Sequence, residues 1–175
     1  LGRLNAEVDG PFAAKLDTSR IALMGHSLGG EATIAGLEHE TRFRAGVLLD
    51  GALSDQSAAG TDKPVLILAA GRGQWSKDEC RLWSNLHGPR LAVNLMGAEH
   101  LTPSDAIWLA KNAIKSGTMG PDKTIEALRN YITAFLDANL VGRPSAPLLS
   151  GPSADYPDAA VTTQKQLLCG EGMNH

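Results

Sequence analysis

One short glycine-rich segment, from Gly25 to Gly29, has the residue types and spacing of a nucleophile turn. It reads Gly-His-Ser-Leu-Gly and follows the apolar run 21–24. In such a turn a strand ends and a helix begins within a few residues, and the glycines leave room for the tight bend. We therefore expect Ser27 to project above a sheet at a helix N-terminus, where backbone amides favour developing negative charge. The alternative is a glycine-rich turn with an incidental serine, and the small residue Gly30 at the helix start weighs against it.

A serine hydroxyl needs a base within hydrogen-bond reach, and His100 is the best-placed histidine. It ends the segment Gly-Ala-Glu-His, directly after the last predicted strand. His26 adjoins the serine, so we expect its side chain to point away from the Ser27 hydroxyl and to pack or bond within the turn. The other histidines are predicted at helix ends or occupy the last position, namely His39, His87 and His175.

An acid must orient the histidine, and two loops that follow predicted strands are candidates to carry it. The loop after 64–70 reads Gly-Arg-Gly-Gln-Trp and holds no carboxylate before Asp78. Asp78 falls at a helix start, where acidic residues are common because of the helix dipole. Asp50 directly follows the apolar run 45–49 and precedes a glycine. The sequence favours Asp50 as the acid, and the capping of a turn is its alternative role.

A parallel sheet would bring these side chains together, and the pattern of apolar residues predicts one. Four apolar runs have the length of strands, at 20–24, 45–49, 64–70 and 91–96. Helical segments alternate with them, at 28–39, 76–86 and 122–139. Runs that are apolar throughout indicate strands buried on both faces. We therefore predict an α/β fold, with a mostly parallel sheet and helices on both faces.

Two local signals refine the predicted helices. Ser76 followed by Glu79 has the pattern of a capping box at the start of the 76–86 helix. Pro103 is suited to the first turn of a further helix that continues through Ala110.

Composition excludes several classes of function. The chain has 175 residues, 43% of them hydrophobic and 20% charged, with a formal net charge of −3. It has no basic cluster for nucleic acid and no apolar run of membrane-spanning length. Cys80 and Cys169 allow either a long-range disulfide or two buried thiols. No residues have zinc-ligand spacing, and we predict neither a metal nor an organic cofactor.

Three segments together resemble the platelet-activating-factor acetylhydrolase family of α/β-hydrolases: 25–30, 42–50 and 97–100. The resemblance covers most of residues 15–140. It implies a triad with Ser27 as nucleophile, His100 as general base and Asp50 as the acid that orients the imidazole. The implied activity is calcium-independent hydrolysis of short-acyl esters, including the sn-2 ester of phospholipids. The Leu28 amide is expected to be one donor to the oxyanion.

The chain departs from the family before the elbow, where only about 20 residues replace several strands. We therefore expect residues 1–142 to be the C-terminal part of an α/β-hydrolase domain that lacks its N-terminal strands. Residues 143–175 are expected to be a Pro-, Ser- and Gly-rich tail that packs on the domain without regular structure. The missing N-terminal part would supply the second oxyanion donor and is a candidate partner. We expect the 175 residues alone to be poorly soluble or weakly active.

The substrate and the location of the protein stay open at the level of sequence. A thioesterase, peptidase or acyltransferase would use the same triad, and an inactive binding module is a third alternative. Three apolar side chains are expected near the active-site edge, as substrate contacts or as core, namely Trp75, Leu101 and Trp108. The first residues show no signal peptide, whereas the resemblance, which includes secreted bacterial lipases, slightly favours secretion.

Overall fold

A five-stranded sheet organises the part of the chain that the structure describes. The computed structural model describes residues 1–51, 53–54, 60–110, 113–164, 166 and 169. Four parallel strands lie side by side in chain order: β1 (Ile21–His26), β2 (Phe43–Leu49), β3 (Val65–Ala70) and β4 (Arg90–Leu95). The last strand, β5 (Ala159–Thr163), pairs antiparallel with β4. Within the described residues β1 pairs with β2 alone and forms one edge of the sheet.

The described helices precede β1, connect β1 with β2 and β3 with β4, and follow β4. They are α1 (Gly2–Ala6), α2 (Leu28–His39), α3 (Lys77–Asn85), α4 (Ala106–Leu109) and α5 (Pro121–Leu136). A π-helical turn, Asp137–Val141, extends α5 and ends at Gly142 in the left-handed conformation. A short 3-10 turn follows at Pro147–Leu149.

The helices cover both faces of the sheet, as the apolar runs predict. Alternate strand residues such as Val47, Leu66 and Val93 face α5 and form the larger core cluster. Their neighbours, such as Leu48 and Ile67, face α2 and α3 and form the second cluster. Because both faces are buried, β2, β3 and β4 are apolar almost throughout. The predicted fold class is confirmed.

Most predicted elements agree with the structure to within a few residues. The capping box of α3 is present, since Ser76 Oγ accepts from the Glu79 amide and the Glu79 carboxylate accepts from the Ser76 amide. The prediction for Pro103 is wrong. A series of turns spans that residue, and α4 begins only at Ala106.

The predicted absence of regular structure after 142 is also wrong. Residues 159–163 form β5 and complete five backbone pairs with β4. The segment is short and rich in alanine and threonine, so its sequence lacks the apolar run that identifies the other strands. The predicted domain boundary at 142 stays a prediction, and β5, which lies beyond it, belongs to the same sheet.

A disulfide joins Cys80 of α3 to Cys169, with the two Cα atoms 5.8 Å apart. The sequence allowed this pairing or two thiols, and the structure has the pairing. Close by, the Trp83 indole N–H donates to the carbonyl of Gln166 at 3.2 Å. These two contacts attach Gln166 and Cys169 to α3.

Membrane spans and metal sites are two further features on which the structure bears. Among the described helices none is both long and apolar enough to cross a bilayer. In the same part of the chain, no three potential ligand side chains form a group that could hold a metal ion.

The disulfide leads to a prediction about stability. It closes a loop across a sequence separation of 89 residues, so reduction restores a large conformational freedom to the unfolded chain. We expect reduction to lower the free energy of unfolding by about 2–4 kcal/mol, measured by urea denaturation with and without reductant. A Cys80→Ser/Cys169→Ser variant is the control and should show no response to reductant. Equal midpoints for the oxidised and reduced protein would contradict the prediction.

Candidate active site

The candidate site lies where the four parallel strands end. Ser27 follows β1, Asp50 follows β2, Arg72 lies two residues beyond β3, and His100 lies five residues beyond β4. Because the carboxyl ends of parallel strands meet at one edge of a sheet, the loops that carry these residues are neighbours.

Ser27 adopts a backbone conformation that side chains rarely take, with φ 55° and ψ −122°. Its amide donates to the carbonyl of Leu49 at 3.0 Å, which continues the pairing of β1 with β2 by one residue. Helix α2 then begins at Leu28. The segment thus has the strand, tight turn and helix that the sequence predicts.

The two glycines of the motif are not equivalent, which corrects the expectation that both make room for the bend. A Cβ on Gly25 would lie 1.9 Å from the carbonyl oxygen of Gly29, so that position must be glycine. A Cβ on Gly29 would meet nothing within 4 Å. The backbone carbonyl of Gly29 is what approaches Gly25, and a side chain on Gly29 itself would not clash.

Gly30 has a separate role in bringing the serine and the acid together. A Cβ there would lie 2.7 Å from the Cα of Gly51. The first turn of α2 therefore contacts the backbone directly after Asp50. This close approach sets the distance between the turn at Ser27 and the turn at Asp50.

His100 connects Ser27 with Asp50. Its Nε2 lies 3.1 Å from Ser27 Oγ, and its Nδ1 lies 2.5 Å from Asp50 Oδ2. The imidazole is about half exposed, at 51%, whereas the Asp50 side chain is only 7% exposed. The chain Ser27–His100–Asp50 therefore leads from a hydroxyl through a half-exposed imidazole to a buried carboxylate, so that His100 can take a proton from the hydroxyl while the carboxylate orients the ring.

A tight turn holds His100 in place. The amide of Glu99 donates to Thr102 Oγ1 at 3.0 Å, and the amide of Thr102 donates to the Glu99 carbonyl at 2.8 Å. Thr102 is buried. The carbonyl of Gly97, three residues before His100, accepts from the amide of Met119 at 3.0 Å, which attaches the start of this loop to the segment before α5.

Asp50 is buried, and its oxygens are matched by donors. Oδ1 accepts from the Ala70 amide at 3.0 Å and from Arg72 Nε at 2.9 Å, while Oδ2 faces His100. Burial raises the pKa of this carboxyl, but the hydrogen bonds from His100 and Ala70 and the charge of Arg72 outweigh it. The pKa of Asp50 therefore lies below the ordinary value of 3.8.

Arg72 is a residue of the site that sequence reasoning missed. Besides Asp50, it contacts buried Glu79, with Nη1 2.8 Å from Oε1. Asn94 fixes the backbone of Arg72 on both sides, since its Oδ1 accepts from the Arg72 amide at 3.1 Å and its Nδ2 donates to the Arg72 carbonyl at 2.6 Å. The absence of a carboxylate in this loop was the signal that pointed to Asp50. The same loop supplies a cation instead.

His26 also differs from its prediction. Its Nε2 lies 2.7 Å from the carbonyl oxygen of His100, and the two imidazole rings are 4.8 Å apart. It therefore bonds to the loop that carries His100 and not within its own turn. No local pattern reveals this contact, because its two partners are 74 positions apart in the sequence.

The remaining predicted residues lie in different surroundings. Leu28 occupies the first position of α2, where helix amides have no intrahelical partner. Leu101 and Trp108 are each 43% exposed, and Trp108 lines a cleft of about 170 Å³ with Met24 and Thr102. Trp75 is partly buried and packs against the cluster beneath α3, which is the core alternative that the sequence left open. His175 lies outside the described residues.

The chain is similar to known proteins over most of its length. The model of the family "Platelet-activating factor acetylhydrolase, isoform II" matches residues 10–142. The chain is 28% identical to a platelet-activating factor acetylhydrolase of Gallus gallus over 149 residues, which are 78% of this chain and 35% of that protein. It is 25% identical to a probable 1-alkyl-2-acetylglycerophosphocholine esterase of Arthroderma benhamiae over 165 residues, which are 80% of this chain and 42% of that protein.

Among solved structures, a ferulic acid esterase from Streptomyces cinnamoneus superposes with a TM-score of 0.72 at 28% identity. The superposition covers 93% of this chain and 52% of the esterase chain. The chain thus spans between a third and about half of the length of these relatives.

The unequal glycines of the elbow lead to a prediction. Gly25→Ala forces a Cβ against the Gly29 carbonyl, and we expect the free energy of unfolding to fall by about 1–3 kcal/mol in urea denaturation. Gly29→Ala is the matched control. Since its Cβ site is open and alanine favours helix, stability should stay constant or rise by up to about 1 kcal/mol. Equal losses in the two variants would refute this account of the turn.

Proposed function

The chain belongs to the platelet-activating factor acetylhydrolase family, and from that premise we propose that it is a serine hydrolase that cleaves short-acyl carboxylic esters. Ser27 is the nucleophile, His100 the general base and Asp50 the acid that orients the imidazole. The observation that carries the proposal is the hydrogen-bonded chain from Ser27 Oγ through His100 to Asp50 Oδ2.

The proposed reaction has two halves. Ser27 Oγ attacks the ester carbonyl while His100 Nε2 takes its proton, and a tetrahedral oxyanion forms. When the oxyanion collapses, the carbon–oxygen bond to the alcohol breaks and His100 returns the proton to the leaving alcohol. Water then attacks the acyl-enzyme with His100 again as base, which releases the acid and restores Ser27. Asp50 stays ionised throughout and stabilises the imidazolium.

The depressed pKa of Asp50 supports its role. A carboxylate that is charged over the working pH range can hold the proton of His100 Nδ1, which leaves Nε2 as the acceptor that faces Ser27. We propose that the Leu28 amide is one donor to the oxyanion, because it directly follows the nucleophile at the start of α2. The second donor, expected from a segment ahead of the elbow, stays a prediction.

For the substrate, we propose an acetyl or similarly short acyl group, including the sn-2 ester of phospholipids. The names of the two relatives refer to acetyl esters. Leu101 and Trp108 are exposed apolar side chains that could contact the rest of such a substrate. The similarity to a ferulic acid esterase indicates the alternative substrate, an ester with a bulky aromatic acyl group.

The disulfide bears on where the protein works. Disulfides persist mainly in oxidising compartments, so the pair Cys80–Cys169 supports a secreted protein. We further propose that the strand edge of β1 is continued by an N-terminal part of the same domain, because the relatives are two to three times as long as the matched segment.

The proposed triad is tested by covalent labelling with a fluorophosphonate and by turnover of p-nitrophenyl esters. Ser27→Ala should abolish labelling. Asp50→Asn should lower kcat by a factor on the order of 10⁴, because the imidazole loses the carboxylate that sets its tautomer. Turnover should fall steeply from the acetyl ester to longer acyl chains and to methyl ferulate.

Asp17→Asn is the matched control. Asp17 is an exposed carboxylate whose pKa is also lowered, to about 2, by hydrogen bonds from Ser19 and Arg20. This variant should keep full activity. A folded protein that the probe does not label would refute the proposal, whereas labelling with preferred turnover of methyl ferulate would refute only the short-acyl substrate.

A further inference from the structure

Arg72 lies between two buried carboxylates that come from different elements. Its Nε and Nη2 are 2.9 Å and 2.8 Å from Asp50 Oδ1, and its Nη1 is 2.8 Å from Glu79 Oε1. Only 26% of the Arg72 side chain is exposed, and the two carboxylates are almost fully buried. A planar guanidinium suits such a bridge, because its donors point in fixed directions and it stays charged.

The contacts divide the two oxygens of Asp50 between different partners. Arg72 and the Ala70 amide occupy Oδ1, while His100 is the partner of Oδ2. A carboxylate held at one oxygen by a forked donor cannot rotate freely about its Cβ–Cγ bond. Oδ2 is thereby aimed at His100 Nδ1.

Both carboxylate oxygens of Glu79 have partners as well. Its Oε2 accepts from the Ser76 amide at 2.7 Å as part of the capping box, and this leaves Oε1 for Arg72. A capping box needs only an exposed glutamate at this position, whereas Glu79 is buried. Its burial is explained by the pairing with Arg72, which matches its charge.

Asp50 is thus surrounded by charged or ionisable groups from several elements of the fold. Arg72 comes from the loop after β3, Glu79 from α3 across Arg72, and His100 from the loop after β4. His26, at the end of β1, contacts His100. When His100 becomes an imidazolium during the reaction, the two cations Arg72 and His100 balance the two carboxylates.

We propose that Arg72 is a positioning residue of the active site. It holds Oδ1 of Asp50 so that Oδ2 faces His100, and Glu79 holds Arg72 in that place. The inference rests on the proposed hydrolase function. Arg72 acts through Asp50 and does not contact the substrate.

Three variants of the whole protein test the inference, with kcat, KM and the pH profile of kcat/KM as readouts. In Arg72→Gln, Asp50 loses its orientation, and we expect kcat to fall on the order of 10²-fold with KM nearly unchanged. The acid limb of the profile, which reports protonation of the base, should move to higher pH. The reason is that an unbalanced carboxylate favours the imidazolium.

Glu79→Gln removes a negative charge. The acid limb of its pH profile should therefore move to lower pH, opposite to the shift in Arg72→Gln, and kcat should also fall. Arg72→Lys keeps the positive charge but lacks the paired guanidinium donors. The acid limb of its pH profile should therefore stay near that of the wild type, although kcat is reduced. A loss of stability alone cannot produce shifts of opposite sign. The far-downfield proton resonance of the Asp50–His100 hydrogen bond, measured by NMR, should weaken in Arg72→Gln.

Arg143→Gln is the control, since it removes an exposed arginine that also pairs with a carboxylate, Asp137 at 2.6 Å. It should change none of these readouts. Unchanged kcat and an unmoved acid limb in folded Arg72→Gln would overturn the positioning role. If the wild type itself neither turns over esters nor reacts with the probe, the proposed function fails instead, so the two failures are distinguishable.

Discussion

Burial of the Asp50 carboxylate is the constraint from which the arrangement of the site follows. A carboxylate in the protein interior is unfavourable unless donors and positive charge match its oxygens. Here the donors come from the end of β3, from the loop after it and from the loop after β4. All three must lie at the same edge of the sheet. A slip of β2 by one residue would turn Asp50 to the opposite face, away from every one of them.

Close backbone packing supplies the distances that this match needs. Gly25 lets the turn at Ser27 fold back on Gly29, and Gly30 lets α2 contact Gly51. Each of these approaches is too close for a side chain. The turn at Ser27 and the turn at Asp50 are therefore held close together by contacts between backbone segments. His100 needs only to bridge a gap that these glycines have already set.

The sequence predicted what depends on local pattern and missed what depends on distant partners. The elbow, the buried strands and the capped start of α3 follow from glycine spacing, apolar runs and a capping pair, all of which act within a few residues. Strand β5 was missed because a short Ala- and Thr-rich segment becomes a strand only by pairing with β4. The contact of His26 with His100 and the bridge of Arg72 to Asp50 and Glu79 join residues that are close only in the folded sheet. Pro103 is a local signal for the start of a helix, but the hydrogen-bonded turns around Thr102 occupy this segment, and α4 begins later.

The link between Cys80 and Cys169 also determines how the molecule would respond to mechanical force. A force that reaches Cys169 from its C-terminal side has a covalent path directly into α3. Strand β5 lies inside the loop that the bond closes, so the tension bypasses it. The antiparallel edge of the sheet cannot be unzipped from that end while the bond is intact. The load falls instead on the helix whose first turn holds Glu79, one residue before the point of attachment.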